Sequence, residues 1–252
     1  MRYFIQLSYD GTAYHGWQVQ DGDETVQQHI EAGLRFKLGL KESVTGCGRT
    51  DTGVHARRFY AHFDLEKKPE ATQLEKFVFE LNNFLPKDIA VYRVFSVHDD
   101  AHARFDAISR TYKYYINTVK DPFSERFAWT YRVPLDLEAM NQAAATLKNH
   151  TDFTSFAKLH SDVKTNNCKI STTSWSRKGG QLVFTITADR FLRNMVRAIV
   201  GTLVEVGRGK RTPEDFEEVV LRKDRSAAGM SAPAKGLFLE DVDYEWDKIV
   251  LK

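Results

Sequence analysis

Arg110-Thr111-Tyr112-Lys113-Tyr114-Tyr115-Ile116-Asn117-Thr118 decides the fold, because it restarts a pattern that the chain has already run once. Its β-branched and aromatic residues predict a strand, with Tyr112, Tyr114 and Ile116 on one face and Lys113 and Tyr115 on the other. Asp136 is then placed to cap a helix that turns Met140, Ala143, Ala144 and Leu147 inward. Strands follow over 170–176 and 182–188, joined by the turn Lys178-Gly179-Gly180. An apolar helix is predicted over 191–206, and a strand over 237–244. Before Arg110 the succession is the same. A strand over 3–9 turns at Asp10-Gly11, and the capping box Thr25-x-x-Gln28 opens a helix with Val26, Ile30 and Leu34 on one side. Short strands are expected near Val44 and over 59–65. A second box, Thr72-x-x-Glu75, precedes the stripe Leu74, Phe77, Val78, Leu81 and Leu85, and residues 89–97 read as a strand. Thr212-Pro213-Glu214 opens an extra helix with proline at its first position.

Two passes of strand, helix, strand, strand, helix, strand predict an α+β protein, sandwich-like, built from two ferredoxin-like βαββαβ halves. The expected sheet is extended and mostly antiparallel, with helices on one face and a central cleft. The halves are expected at 1–105 and 106–252.

With 252 residues, 42% hydrophobic residues and 17 phenylalanines, the chain can bury a sizeable core, which excludes a disordered protein. No apolar run reaches the length of a membrane span, and Asp10 interrupts the opening apolar stretch too early for a secretion signal. Two distant cysteines, Cys47 and Cys168, make no disulfide framework and point to a reducing, cytoplasmic setting. The net charge of +2 is unevenly spread. Six Lys or Arg lie between Asp189 and Arg211 against two acids, and four between Arg104 and Lys120 against one. Such stripes fit a structured RNA, and equally a solvated face.

Chemistry concentrates in Gly46-Cys47-Gly48-Arg49-Thr50-Asp51-Thr52-Gly53-Val54-His55-Ala56. Glycines on both sides allow a tight turn, Asp51 is a candidate nucleophile or base, and Arg49 a candidate phosphate contact. The same residues also suit an Asx-type turn that satisfies only its own backbone. Arg190, Arg193 and Arg197 fall on one face of the helix predicted over 191–206 and its start, at i, i+3 and i+7. Arg197 stands in an otherwise apolar stretch, where an unpaired charge would be costly. There is no Walker loop and no Gly-x-Gly-x-x-Gly after a strand, so no cofactor is expected. His98-Asp99-Asp100-Ala101-His102 has metal-like spacing but lacks a third ligand, and no metal is expected.

Gly48 to His55 resembles the signature loop of the TruA-type tRNA pseudouridine synthases, whose aspartate is the essential catalytic residue. Four more segments stand in that family's order: Tyr9-Asp10-Gly11-Thr12-Ala13-Tyr14-His15-Gly16-Trp17-Gln18, Ser109-Arg110-Thr111-Tyr112-Lys113-Tyr114, Phe191-Leu192-Arg193-Asn194-Met195-Val196-Arg197-Ala198-Ile199-Val200-Gly201, and Ala232-Pro233-Ala234-Lys235-Gly236-Leu237-Phe238-Leu239. The resemblance implies isomerisation of uridine to pseudouridine at positions 38 to 40 of the tRNA anticodon stem-loop, by a homodimer, without a cofactor. It makes Asp51 the nucleophile, Arg197 the cation paired with it, Tyr112 the ring stacked on the target uracil and Leu237 the apolar contact on the other side. Arg49 would contact phosphate or fill the space left by the flipped base, with Arg110, Arg190 and Arg193 as further contacts to the RNA. Thr52 replaces the commoner alanine, and Arg58-Phe59 stands where the family usually has a glutamine. Two other classes compete. One is a non-catalytic RNA-binding protein with tandem RNA-recognition-like units, against which stands the lack of a Lys/Arg-Gly-Phe-Gly-Phe element. The other is a hydrolase with Asp51 as general base, which no Ser-His or metal constellation supports.

Overall fold

The computed structural model describes residues 1–39, 43–66, 69–158 and 165–251. Within them, nine strands and six α-helices give an α+β fold. The chain divides into two compact units, Met1–Ile108 with Leu239–Lys252, and Ser109–Phe238.

In the first unit, β1 (Arg2–Tyr9) lies between β3 (His55–Asp64) and β4 (Ile89–Val97), antiparallel to both. Ile5 and Leu7 are fully buried on one face, and Phe4 is buried on the other beneath His62, Phe95 and Tyr244, while Gln6 and Ser8 on that face are only partly buried. The two-residue β2 (Thr45–Gly46) pairs with β3, and the later part of β9 (Leu237–Tyr244) runs beside β3. Arg57 and Arg58 on β3 meet Glu240 and Asp241 on β9 at 3.4 and 3.1 Å. Helix α1 (Val26–Leu38) packs on α2 (Ala71–Phe84), which also packs on β4. Two details differ from the sequence expectation. Thr25 does precede α1, but its buried hydroxyl makes no hydrogen bond, so the box with Gln28 is not formed. The box of α2 sits two residues earlier than expected, where the Gln73 side chain accepts the Glu70 N–H at 3.0 Å. Glu70 and Gln73 have the same spacing as Thr72 and Glu75, and Thr72 is drawn into the first turn.

His62, in β3, is buried beneath Phe4 and His102, and its Nδ1 accepts the Ala103 N–H at 3.1 Å. Burial first, then the charges of Arg2 and His102, push it from its usual 6.5 down to about 4, against weaker opposing pulls from Asp64 and Asp106. The unfolded chain therefore takes up this proton before the native protein does. Stability from neutral His62 is complete above pH 6.5 and is lost as pH falls toward 4. His62→Asn, which keeps an acceptor near the Ala103 N–H, is expected to flatten the fall in urea midpoint between pH 6.5 and 4. An undiminished slope would assign that pH dependence to other groups.

In the second unit, β8 (Gln181–Ala188) is central, antiparallel to β5 (Ala107–Asn117) and β7 (Ile170–Lys178), while β6 (Trp129–Thr130) runs parallel to β5. Leu182, Val183, Phe184, Ile186 and Ala188 are buried along β8. Asp136 caps α3 (Leu137–Thr146) as predicted, accepting the N–H groups of Glu138 and Ala139, each at 3.0 Å. Helix α5 (Pro213–Arg222) begins at proline and is closed by Thr212 and Asp215 reciprocally, at 2.8 and 3.1 Å. Helix α3 packs on β7, α4 (Met195–Gly207) and α5. The short helix α6 (Trp246–Ile249) closes the chain in the first unit.

Helix α4 corrects a prediction. It starts at Met195, four residues later than the apolar periodicity suggests, because Asn194 takes a left-handed conformation with φ of +64°. Its side-chain amide donates to Ser231 Oγ at 2.7 Å. A left-handed residue cannot continue a right-handed helix, so 189–194 is a turn segment and Arg190 and Arg193 do not share a helix face with Arg197.

Candidate active site

Asp51 lies, half-buried, in the loop from Cys47 to Val54 that feeds β3. The loop is held on the Tyr9–Trp17 segment by bonds on either side of the aspartate. Trp17 N–H reaches Thr50 O at 3.3 Å, and Gly53 N–H reaches Tyr14 O at 3.2 Å. Within the loop the Val54 N–H donates to Asp51 O at 3.1 Å. Gly53 has a φ of +75°, which lets the turn close.

The contact leaves no room for side chains on the facing segment. A Cβ on Gly16, itself at φ +93°, would stand 2.3 Å from Thr50 O, and one on Gly11 would stand 2.0 Å from Val54 O. His55, fully buried, has its Nδ1 3.0 Å from the Gly11 main-chain nitrogen and 3.1 Å from Asp10 Oδ1. Beneath the loop, Trp17 stacks on Phe59 with centroids 4.1 Å apart. Tyr14 donates to Asp88 at 2.5 Å, and burial together with that carboxylate raises its pKa well above the phenol range. Arg49 is exposed at the loop surface, as is Thr52.

The other predicted site residues belong to the second unit. Tyr112 and Tyr114 share a face of β5, as predicted; Tyr114 is fully buried and Tyr112 half-buried. The Tyr112 ring meets Phe191 edge to face, at 5.0 Å and 85°. Arg197 on α4 is half-buried; its Nε donates to Ala232 O at 2.8 Å, and its carbonyl accepts the Ala232 N–H at 2.9 Å. The Tyr114 hydroxyl donates to Pro233 O at 2.8 Å, and burial drives its pKa far up against the opposing field of Arg197.

These bonds hold the strap from Ser231 to Gly236 that delivers Leu237, buried at the start of β9. Gly236 is obligatory there, since a Cβ would come 2.7 Å from the Tyr114 ring and 2.8 Å from Tyr115 O. Arg110, Arg190 and Lys169 gather at one aspartate: Arg110 Nη1 donates to Asp189 O at 2.7 Å, and the N–H groups of Arg190 and Lys169 to Asp189 Oδ1 at 2.7 and 2.8 Å. Arg193 is exposed, and its carbonyl accepts the Lys158 N–H at 3.1 Å.

Among the described residues no group of three or more His, Cys, Asp and Glu is placed to hold a metal, and no helix is long and apolar enough to cross a membrane. His102 instead takes part in local main-chain bonds and stacks on Phe105 at 4.2 Å. Sequence reasoning did not single out Tyr9, His55, Phe191 or the Pro233 carbonyl, which the structure places against Thr50, Gly11, Tyr112 and Tyr114 respectively. The one available signal was the pair Gly11 and Gly16, and its meaning depends on what packs against them.

Residues 143–245 match the family model described as tRNA pseudouridine synthase. Over nearly its whole length the chain is similar to proteins named tRNA pseudouridine synthase A. It is 53% identical to that of Bacteroides fragilis over 96% of both chains, and 54% identical to that of Parabacteroides distasonis, also over 96% of both. It is 53% identical to that of Porphyromonas gingivalis over 98% of both. The chain belongs to the tRNA pseudouridine synthase A family, and is an isomerase.

Proposed function

We propose that this protein isomerises uridine to pseudouridine at positions 38 to 40 of the tRNA anticodon stem-loop, with Asp51 as the nucleophile. The observation that carries the reading is the Asp51 loop, anchored at Thr50 and at Gly53 against a segment whose glycines leave no slack. A carboxylate that must meet one reacting atom benefits from such a fixed main chain, because orientation lowers the barrier without new contacts. In the reaction the bond from ribose C1′ to uracil N1 breaks and a bond from C1′ to C5 forms. The C5 proton leaves and N1 gains one, so neither electrons nor a cofactor are consumed.

Arg197 offsets the cost of taking the Asp51 carboxylate out of water, Tyr112 stacks on the flipped uracil, and Leu237 packs against its other face. Arg49 takes phosphate beside the nucleophile, and Arg110, Arg190 and Arg193 hold the RNA backbone. A homodimer in the cytoplasm binds the tRNA by its shape.

The test is tritium release from tRNA labelled at uridine C5, with uridines 38, 39 and 40 replaced one at a time by cytidine. Release that falls only when these positions are removed is the expected result. Tight tRNA binding without release would leave an RNA-binding protein, and release independent of the three positions would move the site elsewhere on the tRNA.

A further inference from the structure

Tyr9 is a buried phenol at the end of β1 that the reaction as described does not use. Its hydroxyl lies 2.9 Å from Thr50 Oγ1, where either group can donate, and the two residues are 4% and 8% exposed. The Tyr9 ring is fixed independently by Trp17 and Phe59, at 6.3 and 5.7 Å between centroids. Thr50 is the residue before Asp51, and its carbonyl belongs to the same rigid peptide plane as the Asp51 N–H. That carbonyl accepts from Trp17 and sits where only a glycine at position 16 can pass it. The side-chain bond to Tyr9 adds a second attachment to the same residue. Thr50 is thereby held through its side chain and through its carbonyl, which restrains the plane that enters Asp51.

We propose that Tyr9 is a positioning residue for the isomerisation. Through Thr50 it sets the approach angle of the Asp51 carboxylate, without itself touching the RNA. The inference rests on the reading of Asp51 as the nucleophile. A hydrogen bond kept only for packing and one kept for aim respond oppositely to conservative replacement. Thr50→Val preserves volume and loses the hydroxyl, whereas Thr50→Ser loses a methyl and keeps it.

The experiment compares Tyr9→Phe, Thr50→Val, Thr50→Ser and the double variant Tyr9→Phe/Thr50→Val with wild type, by single-turnover and steady-state tritium release, tRNA binding and thermal melting. For Tyr9→Phe and Thr50→Val, kcat is expected to fall between about tenfold and a hundredfold, while KM and tRNA affinity stay within about twofold. The double variant should be no slower than either single one, because both remove the same bond. Thr50→Ser should recover most of the rate. Should Tyr9→Phe misfold, the two Thr50 variants test the bond from its other end.

A Thr50→Ser enzyme as slow as Thr50→Val, or a Tyr9→Phe enzyme with wild-type kcat, overturns the inference. Asp51→Asn is run alongside. If that variant is inactive while the Tyr9 and Thr50 variants are unimpaired, only the positioning role fails. If it still turns over, the nucleophile reading fails and takes the positioning role with it.

Discussion

Asp51→Asn is expected to abolish tritium release from tRNA labelled at uridine C5, by at least about 10³-fold, while leaving the fold and tRNA affinity intact. The amide has the shape of the carboxylate but cannot act as an anionic nucleophile. Bonds that hold the loop run through main-chain atoms of Thr50, Asp51, Gly53 and Val54 and through the Thr50 hydroxyl, and replacing the Asp51 side chain leaves these in place. The melting temperature should therefore stay close to wild type, and tRNA should still be retained on a filter. Turnover in the purified variant, free of contaminating wild-type enzyme, would remove Asp51 from the mechanism. A variant that neither melts cooperatively nor binds tRNA would instead show the side chain to be structural.

The second large effect is expected at Arg197. This guanidinium has an anchoring duty visible in the fold, with Nε on the Ala232 carbonyl, and a proposed electrostatic duty toward the Asp51 carboxylate. Arg197→Met strips both. The strap at the buried Ala232 loses a charge-assisted bond, which costs about 1–3 kcal/mol of stability, and kcat is expected to fall by about 10²-fold or more. Arg197→Lys separates the two duties, since lysine keeps the charge but has no planar fork to bond Ala232 and a carboxylate together. Lysine should recover part of the rate and little of the stability. If Arg197→Met melts like wild type and keeps full kcat, neither duty holds. If it loses stability alone, the arginine serves the strap holding Leu237 and not the reaction.

The elements of this protein were largely legible in its sequence, and the particular residues show why. Tyr114 and Ile116 alternate into the core as a period of two requires, Asp136 and Thr212 cap the helices that follow them, and Pro213 opens α5. These signals act between residues a few positions apart, so they survive without knowledge of the fold. The candidate loop was legible for another reason: few segments put a carboxylate, an arginine and glycines into so short a stretch.

Signals failed where two local choices were nearly equal, and in one of the two cases a distant partner stands at the failure. Thr72 and Glu70 offered the same capping spacing, and the helix took Glu70. Residues 191–194 are apolar enough for a helix, yet Asn194 turns left-handed and bonds to Ser231, 37 residues away, so two of three arginines leave the helix face.

By itself, then, the sequence determined where most strands and helices lie, which loop carries the candidate carboxylate, and the family to which that loop is similar. Only the tertiary structure decided that Leu239–Lys252 is counted with the first unit, that Gly11 and Gly16 are the seats of the Asp51 loop, and that Tyr9 meets Thr50 across 41 positions of chain. The physical reason is range. Periodicity and capping are written in neighbouring residues, whereas the close approach of two loops depends on volumes and hydrogen bonds that meet only once the sheet has formed.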